Sequence, residues 1–292
     1  MALPAEYMTP EMYMGFYRSM YITVAEGSDV HVDIRKYLNH GKVVPLPTPD
    51  PVTKKTPPPR KPEGILEERA TAANKEYWLI LSQVATDPFR DSPGGNAKKI
   101  TANQVPLDFY FGGRKYNRRQ VHLAYMGKGS PVDVAMALRL ASRYRIISTE
   151  GYCDKFLGLD CTGFVSNYWG LSKTENIDHK DFDKNRRKDL STIRIGDALV
   201  YYKGKQSSEH KKVRSMHIAV LNEVLSESNS GSEVKLTMNY VESAGNDEGV
   251  HKSQTREIVF KKTREGELYY DTTSGNTGYL CGGPPMNRPN GF

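Results

Sequence analysis

The stretch LGLDCTGFVSNYWG, residues 157–170, decides how this chain is read. From Thr162 onward the spacing is helical and puts Phe164, Val165, Tyr168 and Trp169 on one apolar side. Asp160 and Cys161 stand at the first turn, where backbone N–H groups have no intrahelical acceptor. A free cysteine is most often a small buried hydrophobe, and a site deep inside a helix would serve that purpose as well. At a helix start the thiol instead feels the positive end of the dipole, which favours the thiolate. The same amides can hold an oxyanion when a carbonyl is attacked. Gly163 leaves room for a substrate backbone beside the sulfur. Cys161 is therefore read as a nucleophile, provided that a base is within reach.

Of seven histidines, His217 opens a strand-like run, HIAVLNEVL (217–225). The polar stretch SESNSGS (226–232) follows, and then EVKLTMNYVE (233–242). Counting outward from a turn centred on residue 229 sets His217 nearly opposite Glu242. Opposed residues have Cβ atoms about 4.5–5.5 Å apart. A carboxylate there can hold one imidazole nitrogen and leave the other for the thiol, the nucleophile–base–orienter arrangement of a triad. On pattern alone a cross-strand ion pair at the surface remains the alternative. His251 is the rival orienter, but the sequence sets it past the end of the paired strand, after the Gly-rich turn AGNDEGV.

These pieces resemble, in order, those of the NlpC/p-sixty cell-wall peptidases, a papain-like cysteine peptidase family. LDCTGFVSNYW looks like its Asp-Cys-Ser-Gly-Phe/Leu-Val nucleophile motif. IRIGDALVYY is similar to its Gly-Asp-Leu-Val strand, MHIAVLNEV to its His-Val-Gly-Ile strand, and YVESAGNDEGV to its closing strand and Gly-Val turn. The likeness covers roughly residues 130–255. It implies Cys161 as nucleophile, His217 as base and Glu242 as third residue, where many members carry His, Asn or Gln. It further implies an oxyanion site made by the Cys161 amide and an upstream tyrosine, for which Tyr152 is nearest. Asp160, Thr162 and Gly163 join Tyr152 as the expected oxyanion or substrate-binding residues. The implied fold is α+β: a papain-like core in which the nucleophile helix packs on an antiparallel sheet, carrying an N-terminal appendage. The implied reaction is hydrolysis of a peptidoglycan stem-peptide amide, commonly between D-glutamate and the diamino acid. A papain-like acyltransferase or deamidase acting on a host protein or lipid, or a phage lysis or tail peptidase, is the alternative.

The rest of the chain sets the organisation. VPLPTPDPVTKKTPPPRKPEG (44–64) is a proline-rich linker. Before it, residues 1–43 form a small block in which YITVAE (21–26) and VHVDI (30–34) flank Gly-Ser-Asp, a hairpin pattern. After it, residues 65–130 read as a helical and irregular extension. It opens with an amphipathic helix over 65–85, and 87–131 lacks a clean period. A second helix is expected over 133–144, with Asp133 near its start, and the peptidase domain over 131–292. The change from one helix to a run of strands after the 150s is an α+β pattern rather than alternating βαβ.

Composition narrows the function. A hydrophobic fraction of 38% with 26% charged residues suits an ordinary globular protein. Three cysteines, an odd number, make no disulfide framework. Cys153 and Cys161 lack the partners a zinc site needs, so neither metal nor cofactor is expected. The net charge of +7 favours a polyanionic target: nucleic acid, anionic lipid or an acidic polymer such as the cell wall. HKDFDKNRRKD (179–189) and GKQSSEHKKVRS (204–215) do not interleave aromatics with their basic residues, so nucleic acid is not an expected partner. No apolar run is long enough for a membrane span and no secretory leader is evident. The expectation is synthesis in the cytoplasm and export by a specialised secretion route, to act as an antibacterial effector in a target periplasm or at the cell wall. Its expected partners are peptidoglycan stem peptides, an immunity or inhibitor protein, and a secretion-machine component met through the N-terminal block.

Overall fold

The computed structural model describes residues 8–42, 60–91, 94–147, 150–171, 181–182, 185–202, 215–231, 233–245, 249–272 and 276–283. In chain order they form α1 (Pro10–Arg18), β1 (Met20–Thr23), β2 (Asp29–Val32), α2 (Ile65–Thr86), β3 (Asp108–Phe111) and β4 (Arg114–Asn117). There follow α3 (Arg118–Met126), α4 (Pro131–Ala141), α5 (Glu150–Phe156), α6 (Cys161–Tyr168), β5 (Ala198–Tyr202), β6 (Ser215–Asn229) and β7 (Glu233–Ala244). β8 (Gly249–Lys252), β9 (Arg256–Lys262), β10 (Leu268–Asp271) and β11 (Thr277–Cys281) complete the set. Helix and strand occur in nearly equal measure, 34% and 32%, which makes the fold class α+β.

The chain divides into two compact units. One joins residues 1–18 to 160–292; the other is 19–159. The boundaries differ from the 1–43, 44–64, 65–130 and 131–292 division expected from sequence. α1 belongs with the later strands because its apolar face is aromatic. Tyr13 and Tyr17 are fully buried, with Tyr13 5.7 Å from the Tyr168 ring and Tyr17 6.3 Å from Phe164. Conversely α4 and α5 group with 19–159, where α4 packs on α3 and β1, and α5 on α2. Residues 43–59, most of the expected linker, lie outside the described residues.

In the 19–159 unit the expected hairpin is present, with Tyr21 opposite His31. α2 matches the periodicity of 65–85 to within a residue. α4 starts two residues before the expected 133, because Ser130 caps it: its side chain accepts the Asp133 N–H while the Asp133 carboxylate accepts the Ser130 N–H. The span without a clean period contains the β3–β4 hairpin and α3, whose start is capped by the Asn117 side chain.

In the other unit, β6, β5, β11, β10, β9 and β7 pair antiparallel in that order, and β7 pairs back onto β6. The six strands close a barrel. Each supplies buried apolar side chains to one cluster, among them Leu199, Leu221, Met238, Phe260, Leu268 and Leu280, so the interior is filled rather than open. β8 pairs with β7 beyond the end of β9. The turn before β5 requires Gly196, whose φ of +93° only glycine adopts readily, and Asp197 beside it takes a bidentate hydrogen bond from Arg187 at 2.7 and 2.9 Å. α6 packs on β6 and β7.

Candidate active site

All of Cys161, His217 and Glu242 lie in the unit that contains the barrel. Cys161 is the first residue of α6. Asp160 has the extended backbone of an N-cap, φ −89° and ψ 167°, and its side chain accepts the Gly163 N–H. The Thr162 hydroxyl donates to the same carboxylate oxygen at 3.0 Å. One turn on, the Asn167 side-chain amide donates to the Gly163 carbonyl at 2.9 Å. These bonds fix the first turn and so the direction in which Cys161 points.

This geometry alters the expected oxyanion or substrate-binding set. Asp160 and Thr162 are 4% exposed and bonded to each other, and the Gly163 amide is committed to the cap. The three hold the helix start rather than present donors to a ligand. Tyr152 belongs to the 19–159 unit, on α5. Its hydroxyl donates to Glu76 at 3.2 Å and lies 2.8 Å from the Tyr125 hydroxyl. A phenol has one O–H to give, and the carboxylate, itself bound by Arg145 at 2.9 Å, takes it. Tyr152 thus spends its one hydroxyl hydrogen within its own unit.

Glu242 pairs with Ala219, two residues along β6 from His217, and not with His217 itself. The turn is tighter than SESNSGS, with Asn229 paired to Val234, and two irregularities in β6 shift the register. The shift leaves Glu242 on the same face as His217, since side chains repeat every second residue. His217 Nε2–H donates to Glu242 Oε2. The imidazole also hydrogen-bonds the Cys161 sulfur, for which Nδ1 is the remaining nitrogen. Burial opposes the charge on His217, but the bonds to Cys161 and Glu242 outweigh it and raise its pKa to about 10. Burial would likewise raise Glu242, yet His217 and His251 together hold it down at about 2. Thiol, imidazole and carboxylate are thus joined in one line of hydrogen bonds, with the imidazole held as a cation. That is the arrangement a thiolate nucleophile with a proton-carrying partner requires.

The sequence predicts His251 beyond the strand end. It stands instead on β8 directly opposite Glu242, because Gly249 and Val250 already pair with β7. Three tyrosines near this cluster were not anticipated. The Tyr201 ring lies 5.7 Å from His217, and its hydroxyl is hydrogen-bonded with those of Tyr270 and Tyr240. Burial pushes Tyr201 far above its ordinary value, so it stays neutral beside His217. Tyr201 lies in the quoted strand IRIGDALVYY, but its approach to His217 depends on the β5–β6 register.

Among the described residues no group of three or more His, Cys, Asp or Glu side chains is placed to hold a metal ion. No family model, curated protein or solved structure matches this chain.

The three cysteines are free and buried but differ in surroundings. Burial, with Asp154 and Asp33 nearby, pushes the Cys153 thiol up to about 12. Cys281 is fully buried. At neutral pH iodoacetamide should therefore modify Cys161 first, since alkylation follows the thiolate fraction. Peptide mapping reads the order, and finding Cys161 slowest would contradict a thiolate paired with His217.

Proposed function

We propose that the protein is a cysteine peptidase of the peptidoglycan stem peptide, a papain-like thiol amidase cutting the bond between D-glutamate and the diamino acid. The observation that carries this reading is His217, hydrogen-bonded at once to the sulfur at a helix start and to a carboxylate. Support comes from the nucleophile helix packed on antiparallel strands, which a papain-like core requires, and from a net charge of +7 suited to an anionic polymer.

In this mechanism the Cys161 proton already rests on His217, and the thiolate attacks the amide carbonyl carbon. The carbonyl electrons move to oxygen, where the Cys161 N–H at the positive end of α6 stabilises them. Collapse breaks the C–N bond, and His217 delivers its proton to the departing amine. Water then gives a proton to His217 and attacks the thioester, releasing the acid and restoring the thiolate–imidazolium pair. Glu242 holds the imidazole in register and stabilises its charge through both steps.

The test is incubation of purified protein with peptidoglycan sacculi, followed by mass spectrometry of the released fragments. Cleavage between D-glutamate and the diamino acid is expected. Sacculi left intact under conditions where Cys161 still alkylates rapidly would overturn the substrate, and products formed only with an added amine would favour acyl transfer instead.

A further inference from the structure

Two of the polar contacts of His251 constrain its protonation. Nδ1 lies 3.0 Å from the Gly249 carbonyl oxygen, which can only accept, so Nδ1 carries a hydrogen. Nε2 lies 3.5 Å from Glu242 Oε1, the carboxylate oxygen that His217 does not use. With Nδ1 already protonated, a neutral ring would turn a lone pair toward the carboxylate. Only the imidazolium places an N–H there. The two histidines thus hold the two oxygens of Glu242 from opposite neighbouring strands, β6 and β8.

We propose that His251 is a positioning residue: in its protonated form it pins Glu242 Oε1, so that Oε2 stays aimed at His217 and the Cys161–His217 ion pair stays assembled. This rests on the thiol mechanism proposed above, but not on the identity of the substrate. Other charged groups on the elements against β8 are engaged elsewhere. Arg18 of α1 donates to the Val250 carbonyl at 3.1 Å, and Glu11 of α1 binds Lys252 at 2.7 Å. Glu242 is the carboxylate on β7 that meets the ring. His251 protonation therefore acts on the site through Glu242. As pH rises and His251 loses its second proton, the attraction to Oε1 becomes a lone-pair repulsion and Glu242 is released to rotate.

The experiment measures the rate of Cys161 alkylation by iodoacetamide against pH, a readout that needs no substrate, in wild type, His251→Ala and His251→Gln. In wild type the profile should show an inflection from His251 in addition to those of the ion pair. His251→Ala should slow alkylation by about tenfold at neutral pH, as a charge-assisted bond to the orienting carboxylate is lost. His251→Gln keeps an N–H for Glu242 and should recover most of the rate, without the added inflection. Thermal unfolding of each variant separates folding from positioning. Wild-type rate and profile in His251→Ala would overturn the proposal, as would equal losses in the Ala and Gln variants accompanied by equal falls in Tm. A sacculus assay that fails while the alkylation profile shifts as described would remove the substrate and leave the positioning role in place.

Discussion

Cys161→Ala should abolish hydrolysis, with a loss on the order of 10⁶-fold in kcat, as removal of a triad nucleophile does elsewhere. The fold should survive. Cys161 is 4% exposed at the first turn of α6, and the cap that fixes this turn uses Asp160, Thr162 and Gly163 but not the sulfur. Losing one sulfur atom at the edge of the core should cost about 1–2 kcal/mol. His217 loses one of the two bonds that raise its pKa, so its titration should move down from about 10 while Glu242 still holds it above the ordinary value. Fragment analysis of digested sacculi and an NMR titration of the imidazole are the two measurements. Undiminished hydrolysis in Cys161→Ala would end the nucleophile assignment.

Glu242→Gln should lower kcat by about ten- to a thousandfold, because a neutral amide keeps an acceptor for Nε2–H but not the charge that stabilises the imidazolium. The change also predicts a pH signature in stability. Glu242 is depressed from 4.5 to about 2, so its contribution is present above 4.5 and lost as pH falls through about 2. His217 is raised from 6.5 to about 10, so its contribution is present below 6.5 and lost as pH rises through about 10. The gap in unfolding midpoint between wild type and Glu242→Gln should be widest between pH 4.5 and 6.5 and should close on both sides. A gap that does not vary with pH would show that the two groups do not interact as ions.

The parts of this site that could be read from the sequence are those specified locally. Cys161 at a capped helix start and His217 at the opening of a strand follow from short patterns, and both were anticipated. A count from residue 229 sets Glu242 opposite Met216, three residues from its actual partner Ala219; the two irregularities in β6 are what bring it onto the face of His217. His251 was misplaced because β8 is four residues long and its pairing to β7 is set by the neighbouring strands rather than by its own pattern. The Tyr201, Tyr240 and Tyr270 cluster and the β5–β11 and β7–β9 pairings that complete the barrel join segments apart in sequence, which hydrophobic alternation does not encode. Nor does the composition of residues 1–43 reveal that α1 belongs with strands made much later; only the burial of Tyr13 and Tyr17 does.

That last feature has a consequence in time. Glu11 of α1 bonds Asn222 and Lys252, 211 and 241 residues further along the chain. At the usual 5–20 residues per second of translation, roughly 10–50 s pass between the emergence of α1 and that of its partners. During this interval 19–159 emerges and can fold, while α1 waits for the strands it packs on. Cys161 leaves the ribosome in the same state, ahead of the strands that bring His217 and Glu242 beside it. The nascent chain therefore holds an ordinary thiol, and reactivity arrives late, when the barrel closes around its final strands.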